Sequence, residues 1–365
     1  MEYLNDLNEK LKMDETGIIY HSIFTDCPEL VCGSPFFGVK RNFSKFSSET
    51  IREINDLTFT SFGSEDARKK LANNFLGNLD IPTGCCIRFK TNSDRIILKA
   101  AVRRNCDIMK ATLWCSSGFD IYVRPEGESK WIHKNIIGPM TGHDKFAECS
   151  GVPAGGDVMI YLPVYNQVTE CFIGSRAPLE PIAAYRHPVP LAFYGNSGTQ
   201  GASATRPGLT HFNIISRELD IAIANYSASN GCHGQLSVAK TIGEINICAL
   251  VIDYSHNASS AQELKATHER FYLEIRKYHP YIPVIFLTTP YIPEQYPYRE
   301  FDAVIHETFN NAKARGENVY LIQISNLLDE YGMDLTTVDH THHTDFGMNI
   351  IAQEIEKILI KALGL

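Results

Sequence analysis

Apolar residues along this chain follow two different rhythms. From about residue 84 to 174 they come in short runs of alternating character, broken by Gly and Pro. Residues 86–90 (Cys-Ile-Arg-Phe-Lys) and 95–102 (Arg-Ile-Ile-Leu-Lys-Ala-Ala-Val) alternate, and further short runs occupy 121–123, 157–162 and 170–173. A period of two places successive side chains on opposite faces of a strand, so this region predicts an antiparallel β-sandwich. The first 80 residues are less regular. Within them residues 64–76 predict one short helix.

Pro178, Pro181, Pro188 and Pro190 mark a boundary. Proline has no N–H for a ladder, so the following strand is expected to begin late, at 189. Beyond it, nearly continuous apolar runs at 189–194, 221–225, 247–254, 284–288 and 319–324 alternate with helical patterns. Over 261–278, Leu264, His268, Phe271, Ile275 and Tyr278 share one helical face. Ser260 and Glu263 offer a capping box there, and His279-Pro280 a stop. The last helix carries Ile351, Ile355, Ile358, Leu359 and Ala362 on one stripe. Strands buried on both faces and alternating with helices predict a five-stranded parallel sheet in a three-layer α/β/α domain. The expected organisation is a β-sandwich domain with an irregular extension over residues 1–180, then an α/β domain over 186–365.

Composition narrows the class. At 365 residues, 44% hydrophobic and 21% charged, the chain is globular and long enough for two domains. A net charge of -8 argues against a nucleic-acid partner. No apolar run reaches the ~20 residues that span a bilayer, so no membrane role is expected. The first residues, Met-Glu-Tyr-Leu-Asn-Asp, are acidic and polar and do not read as a secretory signal, which leads to an expectation of a cytoplasmic protein. The ten cysteines include no Cys-x-x-Cys, so reduced thiols are expected and no structural metal.

The chemistry concentrates where the predicted strands of the second half end. Ser197 follows the first of them within Gly195-Asn196-Ser197-Gly198, and glycine on either side allows a sharp turn. A serine hydroxyl becomes a nucleophile only when a base removes its proton. Near the other end, Asp339-His340-Thr341-His342 puts an aspartate three residues before a histidine, where it can orient the ring as that base. Ser229 and Asn230 follow the second strand, His256 and Asn257 the third, and Asp339 and His342 the fifth. All open on the carboxyl edge of one sheet, where ligands of open α/β folds bind.

These residues resemble the blocks of the SGNH (GDSL-type) hydrolase superfamily over residues 189–365. The serine block is Gly195-Asn196-Ser197-Gly198-Thr199-Gln200-Gly201 with Ala204-Thr205-Arg206-Pro207-Gly208 behind it. The asparagine block is Ile252-Asp253-Tyr254-Ser255-His256-Asn257, and the histidine block Asp339-His340-Thr341-His342. Upstream, Gly118-Phe119-Asp120-Ile121-Tyr122 resembles the Gly-x-Asp-Leu-Tyr signature of the sandwich that precedes one carbohydrate-esterase-like branch. The resemblance implies a flavodoxin-like catalytic domain behind a jelly-roll-like sandwich. It also implies an oxyanion hole formed by the N–H groups of Ser197 and Asn230 with the side chain of Asn257. Asn230 stands where the family carries glycine. Asparagine tolerates the left-handed backbone region best among the other residues, and a one-residue shift would place Gly231 there instead.

The reading that follows is a serine esterase with Ser197, His342 and Asp339 as its triad. The resemblance implies that it removes short acyl groups, acetyl first among them, from a carbohydrate or similar polyol without metal or organic cofactor. Its partner is then a small-molecule or saccharide ester. Arg206 is a candidate for anchoring substrate at the pocket rim, with a surface ion pair as its alternative. Two further readings stay open: acyl transfer to an alcohol acceptor by the same triad, and a catalytically degenerate binding module. The oligomeric state is not legible.

Overall fold

The computed structural model describes residues 15–55, 64–103, 111–290 and 298–365. Among the described residues fourteen strands build three sheets. Two are antiparallel and face each other. One runs in the order β1 (Ile19–Ser22), β9 (Val168–Ser175), β4 (Arg95–Val102), β7 (Lys145–Gly151). The other runs β2 (Val31–Cys32), β3 (Cys86–Lys90), β8 (Asp157–Tyr161), β5 (Phe119–Arg124), β6 (Ile132–Ile137). Their facing side chains, among them Ile96, Leu98 and Ile173 from one sheet and Ile87, Phe89, Ile121 and Ile160 from the other, fill one core. The alternation read from the sequence is the pleat of these strands.

The third sheet is parallel: β11 (Ile221–Asn225), β10 (His187–Gly195), β12 (Ala249–Asp253), β13 (Val284–Leu287), β14 (Val319–Ile322). Both faces are covered. Ala192, Tyr194, Leu250, Ile252, Val284 and Phe286 point into a core with the Leu236–Gly243, Ala261–Tyr278 and Tyr298–Ala314 helices. Leu191, Phe193, Val251 and Ile285 point the other way, toward the His211–Leu219 and Asp345–Leu363 helices. This strand order puts the topological switch point between β10 and β12, where an open α/β sheet leaves a crevice.

Some expectations needed correction. β10 begins at His187, and Pro188 and Pro190 lie inside it. The pairing of β10 with β11 is irregular between His187 and Leu191, so the prolines occupy a stretch whose ladder is already interrupted. Tyr278 is exposed and does not continue the buried stripe of its helix. At that helix's start, Ser260 Oγ accepts the Glu263 N–H at 3.2 Å, but the Glu263 carboxylate reaches Ser259 rather than closing the box on Ser260. The 64–76 pattern is the Glu65–Leu76 helix, with Ser64 as its N-cap. The irregular N-terminal region contributes β1 and β2 to the sandwich. No helix among the described residues is long and apolar enough to cross a membrane.

Candidate active site

Ser197 opens a single helical turn, Ser197–Gln200, directly after β10. The turn is held from beneath. Asn196 caps it, its side-chain oxygen accepting the N–H groups of Gly198 at 2.8 Å and Thr199 at 3.3 Å. The other end of the Asn196 amide donates to Asp253 at 3.1 Å, and the Thr199 hydroxyl donates to the same carboxyl at 2.5 Å. Asp253 ends β12 beside Gly195 in register. Gly195 has to be glycine here, because a Cβ would lie 2.6 Å from both the Asp253 carbonyl oxygen and the Thr199 side chain. The Tyr165 hydroxyl, from the sandwich half, donates to the Ser197 carbonyl at 2.9 Å.

The histidine block is a tight loop closed by the Thr337–His343 bridge and the Val338 N–H to His342 carbonyl bond at 2.8 Å. His340 sits at its apex with a left-handed φ of 63°. Asp339 accepts the backbone N–H of His342 at 2.7 Å and folds under the ring, its Oδ2 lying 2.9 Å from His342 Nδ1. His342 Nε2 then lies 2.7 Å from Ser197 Oγ. With the proton on Nδ1 shared toward Asp339, Nε2 is free to accept from the serine. The neighbouring histidines occupy other places. His340 is exposed, and His343 is buried behind the turn. Burial drops His343 to about 3 and His256 to about 4, with the charge of His342 acting in the same direction, so both stay neutral.

The oxyanion candidates divide. Asn230 takes φ 53°, the left-handed region that its family glycine would enter freely, and its carbonyl accepts from Asn74 at 3.3 Å. Among the described residues, neither the Ser197 nor the Asn230 backbone N–H meets an acceptor. Asn257 departs from expectation. It ends a short 3-10 turn, Ser255–Asn257, and its side-chain amide donates to the carbonyls of Ala228 at 3.3 Å and Cys232 at 2.9 Å. An amide has two N–H groups, and here both hold the loop that carries Asn230.

Arg206 takes the ion-pair alternative. Its guanidinium turns inward, 2.8 Å from Asp120 Oδ2 and 2.7 Å from the Tyr122 hydroxyl. Asp120 is 0% exposed and needs such a partner. It also takes the Gly208 N–H at 2.8 Å and lies 3.0 Å from His133. A Cβ on Gly208 would come within 2.6 Å of both Asp120 and Tyr122. The Gly118–Tyr122 signature is therefore a latch binding the sandwich to the loop behind the serine block, and Arg217 stacking 4.3 Å over the Tyr122 ring extends it.

Asn196, Asp253, Gln200 and Tyr165 support the nucleophile turn without having been singled out from the sequence. An asparagine immediately before the serine was a visible cap signal. Asp253, at the end of the neighbouring strand, was visible only as part of its block.

This arrangement of sheet, blocks and sandwich defines a GDSL/SGNH hydrolase. Residues 189–360 match the GDSL-like lipase/acylhydrolase family, and residues 64–178 match the family described as the N-terminus of SGNH-hydrolase-type esterases. The chain belongs to this class, with the Gly-x-Asp-Leu-Tyr type of N-terminal domain. Among solved structures it resembles a GDSL-like lipase from Bacteroides ovatus at 23% identity, over 95% of this chain and 98% of that one (TM-score 0.76). It also resembles the salicylyl-acyltransferase SsfX3 of a tetracycline biosynthetic pathway at 17% identity, over 96% and 98% (TM-score 0.71). A family two carbohydrate esterase from Clostridium thermocellum, in complex with cellohexaose, matches at 12% identity over 77% and 92% (TM-score 0.53). At these identities the likeness is one of fold. No curated protein matches the chain.

Proposed function

We propose that the protein is a serine esterase that removes a short acyl group, acetyl in the first instance, from a carbohydrate or similar polyol through an acyl-Ser197 intermediate. The observation that carries this reading is the continuous relay from Ser197 Oγ to His342 Nε2 (2.7 Å) and from His342 Nδ1 to Asp339 (2.9 Å). In the first half-reaction His342 takes the serine proton as Oγ adds to the ester carbonyl, and Asp339 stabilises the imidazolium. The tetrahedral oxyanion is met by the Ser197 and Asn230 N–H groups, since Asn257 spends its amide on the loop. Collapse expels the alcohol, which takes the proton from His342 Nε2. Water then repeats the sequence on the acyl-enzyme and restores the serine. The polyol part of the reading is supported by the fold shared with carbohydrate esterases.

Acyl transfer to an alcohol is the second reading, favoured by a likeness to an acyltransferase that spans nearly the whole chain. Supplying an acetyl ester with and without a sugar acceptor, and measuring free acetate against acetylated sugar, separates the two. Acetate released at the same rate in both supports hydrolysis. Acetylated sugar as the main product overturns it.

A further inference from the structure

A cavity of about 550 Å3 lies against the nucleophile turn, within the ~300–1,000 Å3 range of small-molecule sites. Tyr165 lines the cavity and bonds the Ser197 carbonyl. Asn78 lines it and accepts from Gln200, at the end of the nucleophile turn, at 2.8 Å. Asn230, from the loop after β11, lines it as well. Asn73 and Asn74, from the Glu65–Leu76 helix, form the far side, and Arg103 stands exposed at the end of β4. The cavity thus draws on both halves of the chain.

Its chemistry is specific. Among the described residues no Asp, Glu or Lys lines it, and amides dominate the lining. A carboxamide offers a donor and an acceptor side by side, which matches hydroxyl groups that both donate and accept. Asn74 and Asn78 are fixed by bonds to the Asn230 and Asn74 carbonyls, at 3.3 and 2.7 Å. The side chains of Asn73 and Asn230 bond no other described residue. Two open amides on a held frame suit a neutral, hydroxyl-rich ligand and suit an alkyl chain poorly.

We propose that this cavity is a saccharide subsite, with Asn73 and Asn230 reading hydroxyl groups, and that it seats the alcohol half of the ester. That the saccharide is the leaving group rests on the esterase reading; that the cavity binds a saccharide does not. The test uses the full chain carrying Ser197→Ala, titrated by calorimetry with cellobiose, xylobiose and hexanoate, beside Ser197→Ala/Asn73→Trp, which places an indole at the cavity. The expected result is saturable binding of a neutral disaccharide but not of hexanoate. The second substitution should weaken it by about tenfold or more, the scale of lost hydrogen bonds, with the melting temperature confirming an intact fold. In the active enzyme, Asn73→Trp should lower by about tenfold the ratio of kcat/KM on an acetylated disaccharide to that on nitrophenyl acetate. Absence of disaccharide binding, binding indifferent to Asn73→Trp, or preference for hexanoate overturns the proposal. Disaccharide binding by a protein whose wild type is catalytically inert would instead sink the esterase reading and leave the subsite standing.

Discussion

The Asn257 side chain is turned to the loop carbonyls, while the Asn230 backbone takes the left-handed conformation open to glycine. The type of residue at each position is readable; the direction of an amide is not, because it depends on which carbonyls the fold brings near. Replacing Asn257 with Ala leaves the Cys232 carbonyl without its side-chain donor, while the Ala228 carbonyl keeps the N–H groups of Gly231 and Cys232; an unsatisfied buried group costs about 1–3 kcal/mol. The expected outcome is a lower melting temperature together with slower turnover. A preorganised oxyanion donor predicts otherwise: about 10²–10³ in kcat with the melting temperature unmoved. At Asn230 the left-handed φ is the constraint. Asn230→Gly should leave stability and turnover of nitrophenyl acetate, which has no saccharide to read, nearly unchanged, whereas Asn230→Val should destabilise, since a β-branched residue fits that region badly. Equal melting temperatures for the Gly and Val variants would contradict this.

At the level of elements, the nucleophile turn depends on a carboxyl that does no chemistry. Asp253 is enclosed beneath the turn, and burial pushes its pKa up to about 7 against the hydrogen bonds from Thr199 and Asn196. In an unfolded chain an aspartate ionises near ~3.9. Because the folded value is the higher, its contribution is complete below about pH 4 and is lost as pH rises to about 7. Asp253→Asn cannot ionise, so the difference in melting temperature between variant and wild type should shift in favour of the variant across that window. A constant difference from pH 4 to 7 would show that Asp253 does not titrate there. The strands flanking this turn were legible because burial on both faces leaves uninterrupted apolar runs. β6 and β7 were not. Ile132–Ile137 reads Ile-His-Lys-Asn-Ile-Ile and Lys145–Gly151 reads Lys-Phe-Ala-Glu-Cys-Ser-Gly, edge strands with much exposed surface and little apolar alternation. β1 and β2 are too short to carry a period.

For the whole molecule, the two halves were separable by rhythm, but what joins them was not. Arg206 near the serine block reads as a rim residue until Asp120, far away in sequence, is placed against it. Loss of a partner from a buried ion pair costs about 3–5 kcal/mol. Arg206→Ala should therefore lower the melting temperature substantially while leaving KM for nitrophenyl acetate unchanged. A raised KM in a protein of wild-type stability would restore Arg206 to the substrate.

The central claim is that Ser197 is a nucleophile activated by His342. Its most direct measurement is labelling by a fluorophosphonate probe followed by peptide mass analysis, on wild type, Ser197→Ala and His342→Ala. The account predicts a single phosphonylated serine at Ser197 in the wild type, none in Ser197→Ala and strongly slowed labelling in His342→Ala. A wild type that stays unlabelled, or a label that persists in Ser197→Ala, would contradict it.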